Sequence, residues 1–385
     1  MKVKLLLTAI ALSLLIASVA GATETRVMTL GNVNHIVKDV YNIGLYPQMI
    51  SNYPTWGSME ISGTGPNSLY SIGGHYKYGG AVYGLYLDNT GLPEGGMYGP
   101  VVGEQGAGDN TTAPKLNLFY GRKLGDVPFG MNLNIYQNSW KDKTVGSSAE
   151  TSQMYFGLGF GATLMDKLDL GLNFRSHSFT NKGTDGKDIT KPDGGLLLNI
   201  NARYWDEINE HTSVIPYVGI QLNNVGYDST TTAGDFKNTD NATMFKLGVG
   251  LNEWLNDNTL MVGDFGLAFN SEEMKNTPPT GTGLDAKIAT NQLPYYRFGF
   301  ETMVNSWLVA RAGAERSWID YSNDKVQEIG TATTGLYLGA GLKKGDFMLD
   351  LSVDPGILNR GPYFLTGSAG AWSTMASLRY MPAAK

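Results

Sequence analysis

Four charged residues around one tight turn are the sharpest chemical pattern in the chain. Arg297 and Glu301 precede Asn305, and Arg311 and Glu315 follow it. In a hairpin closing near Asn305, all four share one face of two neighbouring strands. They form either a salt-bridge ladder that ties the strands together or part of a charged constriction that selects solutes. Solvated pairs of this kind contribute only about 0–1 kcal/mol to stability. The stretch KLDLGLNFRSH, residues 167–177, shows the same division. Lys167, Asp169, Arg175 and His177 alternate with Leu168, Leu170, Leu172 and Phe174, the period of a strand with one apolar face. Lys115, Arg203, Lys246, Asp264, Asp350 and Arg379 fall on the polar face of other alternating segments.

Other chemistry is not supported. The four histidines, His35, His75, His177 and His211, lack metal-ligand spacing. Ser176-His177-Ser178 puts the imidazole on the opposite face from both hydroxyls, so it is no nucleophile–base pair. The run GLGFGA at 157–162 has no following helix and reads as small residues inside a strand. The acidic stretches 89–114 and 224–241 have no fixed spacing for a cation and read as solvated loops. The reading is therefore of a non-enzyme with no cofactor and no metal. A weak net charge of −6 with both signs scattered argues against a nucleic-acid partner.

Sixteen alternating segments position these charges: 57–64, 68–78, 81–88, 115–124, 127–138, 152–164, 167–178, 194–205, 211–223, 242–255, 257–269, 293–304, 306–317, 333–344, 346–354 and 370–381. Gly79-Gly80, Gly125-Asp126, Met165-Asp166, Asn256-Asp257 and Gly345-Asp346 supply tight turns. Between them fall long polar stretches at 89–114, 139–151, 179–193, 224–241, 270–292, 318–332 and 355–369. Short and long connections taking turns is the pattern of a transmembrane barrel with short periplasmic turns and long extracellular loops. All seven tryptophans lie near predicted strand ends. Trp56, Trp205, Trp254 and Trp307 fall on the short-turn side, and Trp140, Trp318 and Trp372 on the long-loop side. Two aromatic girdles at two membrane–water boundaries are expected.

The expected fold is all-β: an antiparallel transmembrane β-barrel of about sixteen strands over 57–381, with a tail at 382–385. The apolar face meets lipid and the charged face lines the lumen, and the sheet must close because unpaired backbone groups cannot sit in hydrocarbon. Fifty glycines, many on the polar face, leave room for water or for a backbone inside. Residues 1–22 read as a signal peptide, with Lys2 and Lys4 before an apolar run and Ala20-Gly21-Ala22 at the cleavage site. Export places the barrel in a Gram-negative-type outer membrane. The absence of cysteine leaves it without disulfides.

Residues 23–56 alternate poorly and read as a plug in the lumen or a cap on the periplasmic mouth. Leu30-Gly31, Asp39 and the stretch Asn42 to Pro47 resemble the opening of the long-chain fatty-acid transporter (FadL-like) family. Tyr46-Pro47-Gln48 stands where that family has Asn-Pro-Ala. The resemblance implies an N-terminal plug, passage of hydrophobic molecules by conformational change, and fourteen strands rather than sixteen. The function expected is an outer-membrane channel or transporter for small or hydrophobic solutes. The alternative is a non-transporting barrel serving as surface scaffold or anchor for a partner complex. The partners expected are the bilayer and an unnamed solute. A homo-oligomer is compatible with the strand count, with no interface legible.

Overall fold

Strict period-two alternation leaves a chain no way to bury one face except in a sheet, and a sheet free of edges must close. The computed structural model describes residues 23–62, 69–88, 115–141, 150–182, 188–231, 234–277, 284–323, 326–353, 373–380 and 382. The signal-peptide region, the stretches 89–114 and 355–369, the 382–385 tail beyond Pro382, Trp372, and the side chains of Trp140 and His177 lie outside the described residues.

The strands are β1 Thr55–Ser62, β2 Leu69–Tyr78, β3 Ala81–Asp88, β4 Lys115–Leu124, β5 Val127–Lys141 and β6 Glu150–Leu164. They continue as β7 Leu168–Lys182, β8 Asp188–Tyr204, β9 Thr212–Thr231, β10 Gly234–Asn256 and β11 Thr259–Thr277. The last five are β12 Leu284–Asn305, β13 Leu308–Asn323, β14 Val326–Lys344, β15 Phe347–Val353 and β16 Ser373–Tyr380. Each pairs antiparallel with the next, and Asp206–Glu207 adds a two-residue extension beside β9. The ring closes where β1 meets β16, from Gly57 opposite Tyr380 to Ser62 opposite Met375. The fold is a closed sixteen-stranded antiparallel barrel. Among the described residues no helix is long and apolar enough to cross a membrane.

Several strands outrun the expected ends on the side away from the tight turns. β9 and β10 stay paired to Thr231 opposite Gly234, through most of the stretch read as loop 224–241. β11 and β12 likewise pair to Asn276 opposite Leu284, and β13 and β14 to Asn323 opposite Val326. Polar residues occupy both faces there, so the apolar alternation that marks a strand is lost. Backbone pairing continues without it, helped by threonines and other residues that favour a pleated sheet.

The wall is polar inside and apolar outside. Along β7, Leu170, Leu172 and Phe174 are 36%, 42% and 41% exposed, whereas Asp169 and Asn173 are 2% and 7% exposed. The outward series Phe298 and Phe300 on β12 and Leu247, Val249 and Leu251 on β10 continue the same band.

Candidate functional site: the N-terminal segment and the inner wall

Residues 23–53 hold little regular structure of their own. They comprise one short helix, α1 (Glu24–Thr29), and two 3-10 turns, Val40–Gly44 and Pro47–Asn52. Asp39 starts the first turn by accepting the Tyr41 amide at 3.0 Å, and Pro47 opens the second, where its missing N–H costs nothing. The segment packs against inner-face residues on strands right round the barrel.

Glycine makes the close approach possible. Gly121, Gly130, Gly161 and Gly171 face one another in one row across β4 to β7. A Cβ at Gly130 would collide with the backbone of Pro47 and Gln48, one at Gly161 with the Gln48 side chain, and one at Gly171 with the Leu45 carbonyl. On another part of the wall Gly299 and Gly313 are paired neighbours, and Leu30 and Gly31 press against them. Gly31 itself sits at φ +86°, a conformation that disfavours any side chain.

Two apolar clusters complete the fit. Val40, Ile43, Leu45, Tyr46, Met49, Ile50 and Tyr53 pack on Trp56, Val82, Tyr86 and Phe119. Val27, Leu30, Val33, Ile36 and Val37 pack on Trp205, Ile215, Tyr217, Leu260 and Val262.

Charge holds the earlier part of the segment. Arg26 donates from Nε and Nη2 to the two oxygens of Glu301 at 2.7 Å each, a fork that matches the carboxylate. Its Nη1 reaches Asp39 at 3.1 Å. Glu301 also accepts from Arg311 at 2.5 Å, Arg311 reaches Asp350 at 2.6 Å, and Asp350 meets Arg379 at 2.5 Å. Six alternating charges thus run from the segment into the wall. At the head of α1, Glu60 of β1 accepts the amides of Glu24 and Thr25 at 3.2 and 2.7 Å, and the Thr25 hydroxyl as well. Thr23 and Ser377 share a hydroxyl hydrogen bond of 2.8 Å.

Arg203 binds the middle of the segment. Its Nη1 donates to the carbonyls of His35 and Val37 at 3.0 and 3.2 Å and to Asn42 Oδ1 at 2.6 Å. Its Nε meets Asp169 at 2.9 Å, and its guanidinium lies 4.3 Å from the Tyr46 ring centroid. Asp169 also accepts the Trp205 indole N–H at 2.9 Å and the Thr163 hydroxyl at 2.6 Å.

The buried groups of the segment titrate abnormally. Burial pushes the Glu24 carboxyl up to about 7. Burial, with Lys246, Arg297 and Arg203 nearby, holds the His35 imidazole well below its ordinary range. Burial raises the Asp39 carboxyl despite the opposing pull of Arg26.

The remaining charges from the sequence group as follows. Arg297 sits opposite Glu315 across β12 and β13 and reaches it at 3.3 Å, and it reaches Asp264 at 3.3 Å. Tyr217 donates to Asp264 at 2.7 Å and shares a short hydrogen bond with Tyr295, while Tyr337 donates to Glu315. Lys246 lies over the rings of Tyr217 and Tyr295 at 5.4 and 5.0 Å. Tyr217 also stacks on His35 of the segment, centroids 5.0 Å apart. Lys115 and Arg175 form a separate group around the stacked Tyr136 and Tyr155. Lys167 is not on a strand: it ends the turn before β7 and accepts the Trp205 amide through its carbonyl at 2.9 Å.

The tryptophans correct the expectation of a girdle on the short-turn side. Trp56 and Trp205 are 3% and 4% exposed and pack inward on the segment. Trp254 pairs with the inward-facing Leu260 and lines the inner mouth. Strand parity decides this for Trp56 and Trp254, whose register positions fall on the lumen side, while Trp205 follows the end of β8. The segment packs on Trp56 and Trp205, and Trp254 stays 43% exposed. Trp307, in its turn, is exposed, and Trp318 packs edge-on against the outward Tyr296. Sequence reasoning missed Arg26 and Glu60. The signal for Glu60 was present in the alternation Ser58, Glu60, Ser62 against Met59 and Ile61. Arg26 carried none, because its segment has no period.

No family model and no curated protein matches the chain. Solved barrels do resemble it in outline. The toluene transporter TodX of Pseudomonas putida matches over 94% of this chain and 97% of its own, at 11% identity and a TM-score of 0.38. The toluene transporter TbuX of Ralstonia pickettii matches over 93% and 96%, at 11% identity and a TM-score of 0.40. The siderophore receptor PiuA of Acinetobacter baumannii matches over 78% of this chain and 56% of its own, at 9% identity and a TM-score of 0.42. Likenesses at these scores carry no functional argument. The class defined by the geometry is a closed β-barrel of inverted polarity with its own N-terminal segment packed against the inner wall.

Proposed function

We propose that the protein is an outer-membrane transporter whose N-terminal segment closes the barrel, so that solute passes only when the segment shifts. The observation carrying this reading is the glycine row from Gly121 to Gly171, which brings residues 45–51, backbone at Gly130 and Gly171 and side chains at Gly121 and Gly161, against the wall. A wall that only needed water inside would gain nothing from that match. The apolar outer face supports a bilayer around the barrel, with tight turns on the periplasmic side and longer hairpins outside. The charged inner face fits a wet path for small solutes, and the apolar clusters under the segment fit hydrophobic ones. The inner charges are the salt-bridge ladder and the segment's docking site together.

Planar-bilayer conductance of the whole chain beside a 23–53 deletion tests this. Silence from the whole chain and steady current from the deletion is the expected result. Steady current from both would make the protein an open porin. Silence from both, with the deletion shown to be folded, would overturn transport and leave a scaffold or anchor.

A further inference from the structure

At the short-turn mouth, beneath the docked segment, a cavity of about 350 Å³ opens. Its lining is unusually cationic: Arg26, Lys38, Arg311, Lys343 and Arg379 face it, against Asp257 and Glu301. The three guanidiniums are matched by Asp39, Glu301 and Asp350. Lys38 and Lys343 are not: among the described residues neither ammonium has a carboxylate partner, and Lys38 lies only against the Trp205 ring at 4.5 Å. Two unpaired ammonium groups at the edge of a cavity already walled by guanidiniums make a site of net positive charge. Guanidinium N–H groups and ammonium groups recognise the same partner, an oxyanion. Tyr53 and Trp254 add flat apolar walls on which the body of such a ligand can rest.

We propose that this cavity binds an oxyanion, a phosphate or carboxylate group carried by a small solute, with Lys38 and Lys343 as its principal charged contacts. Arg26 lines the cavity and also anchors the segment to Glu301, so a bound oxyanion competes with Glu301 for it. The site is thereby placed to loosen the segment from the short-turn side. The binding claim stands whether or not the barrel transports; the loosening rests on the docking geometry.

Trp254, which lines the cavity, reports the binding. Inorganic phosphate is titrated into the whole chain in detergent at constant ionic strength, with acetate as the carboxylate arm and chloride as the control. A saturable change in tryptophan fluorescence with phosphate or acetate and none with chloride is expected, the stronger of the two naming the preferred group. The Lys38→Gln, Lys343→Gln double variant should weaken the midpoint at least tenfold, and each single variant by a smaller factor. An equal response to chloride, no saturation, or an unchanged midpoint in the double variant would overturn the site. Protease sensitivity of residues 23–53 rising with phosphate in the same titration is the expected sign of loosening. Saturable binding with unchanged sensitivity would retain the site and remove the competition with Glu301.

Discussion

The two halves of the N-terminal segment are held by different physics. Residues 23–39 contain Glu24, Arg26, His35, Lys38 and Asp39, and they add ion pairs and buried hydrogen bonds to the apolar packing of Val27 to Val37. Residues 40–53 contain no lysine, arginine, carboxylate or histidine at all. They dock by apolar packing and by shape against a row of glycines. Charge gives the first half an orientation that specific ions or protons can undo. Close packing gives the second a fit that only a change of volume can undo. Arg203 touches both, through the His35 and Val37 carbonyls and through Asn42.

Glu301→Gln should separate the halves most strongly. It removes the carboxylate charge shared by Arg26 and Arg311 and one of its two acceptor oxygens, leaving Arg26 with Asp39 and Arg311 with Asp350. Stripping a buried charge of its whole partner costs about 3–5 kcal/mol, which is the ceiling where each cation keeps a second carboxylate. Limited proteolysis should then cut within 23–39 well before 40–53. Simultaneous release of both halves would mean that they dock as one unit.

Gly130→Val comes next and acts on the other half. Its side chain would need the space held by the backbone of Pro47 and Gln48. Overpacking of this kind costs about 1–3 kcal/mol. Residues 40–53 should become protease-sensitive while Arg26 keeps its fork to Glu301. An unchanged digestion pattern would show that the glycine row is not what admits the segment.

Protons should move only the first half, in two opposing directions. Glu24 has its carboxyl pushed from 4.5 up to about 7 when docked, so the docked state holds a proton that the released state loses. Docking is therefore strongest below 4.5 on this account and weakens as pH rises towards 7. His35 acts in reverse: the docked ring stays neutral, whereas a released one protonates below its ordinary 6.5. Its contribution is full above 6.5 and is lost as pH falls. The net profile is smaller than either part. Asp39, also raised by burial, acts in the same direction as Glu24, so Glu24→Gln should enlarge the acid-side loss and His35→Gln should leave only the loss on rising pH, both read by proteolysis against pH. A pH-dependent response within 40–53 would contradict the division.

The strands were legible where one face had to be apolar, as along Leu168 to Phe174, because period two has no other explanation there. Their far ends were not, since Asn224 to Asp240 carries no sustained apolar face, although the backbone pairing continues. The charge pattern around Asn305 was legible as a pair of neighbours. That Glu301 also faces Arg26 was not, because the two are 275 residues apart and one of them lies in a segment without periodicity. The tryptophans mislead for a related reason. Position near a turn was read correctly for Trp56, Trp205 and Trp254, but which face each indole takes depends on register to within one residue. Trp56 and Trp205 turn inward onto a partner that the docked segment supplies.

That last point gives the smallest and most selective test. Trp205→Phe removes one hydrogen bond to Asp169, worth about 0.5–1.5 kcal/mol net. Asp169 keeps Arg203 and Thr163 as donors, so no buried carboxylate is left bare. The phenyl ring still offers a face to Lys38 and Arg203, which lie 4.5 and 4.9 Å from the indole ring centroid. The first half should therefore loosen slightly and the second not at all. Trp307→Phe, at an exposed turn on the same end, should change neither. If Trp205→Phe instead frees the whole segment as fully as Glu301→Gln frees the first half, the indole is the common anchor. The contrast between a charge-held half and a shape-held half would then give way to a single docking point at Trp205.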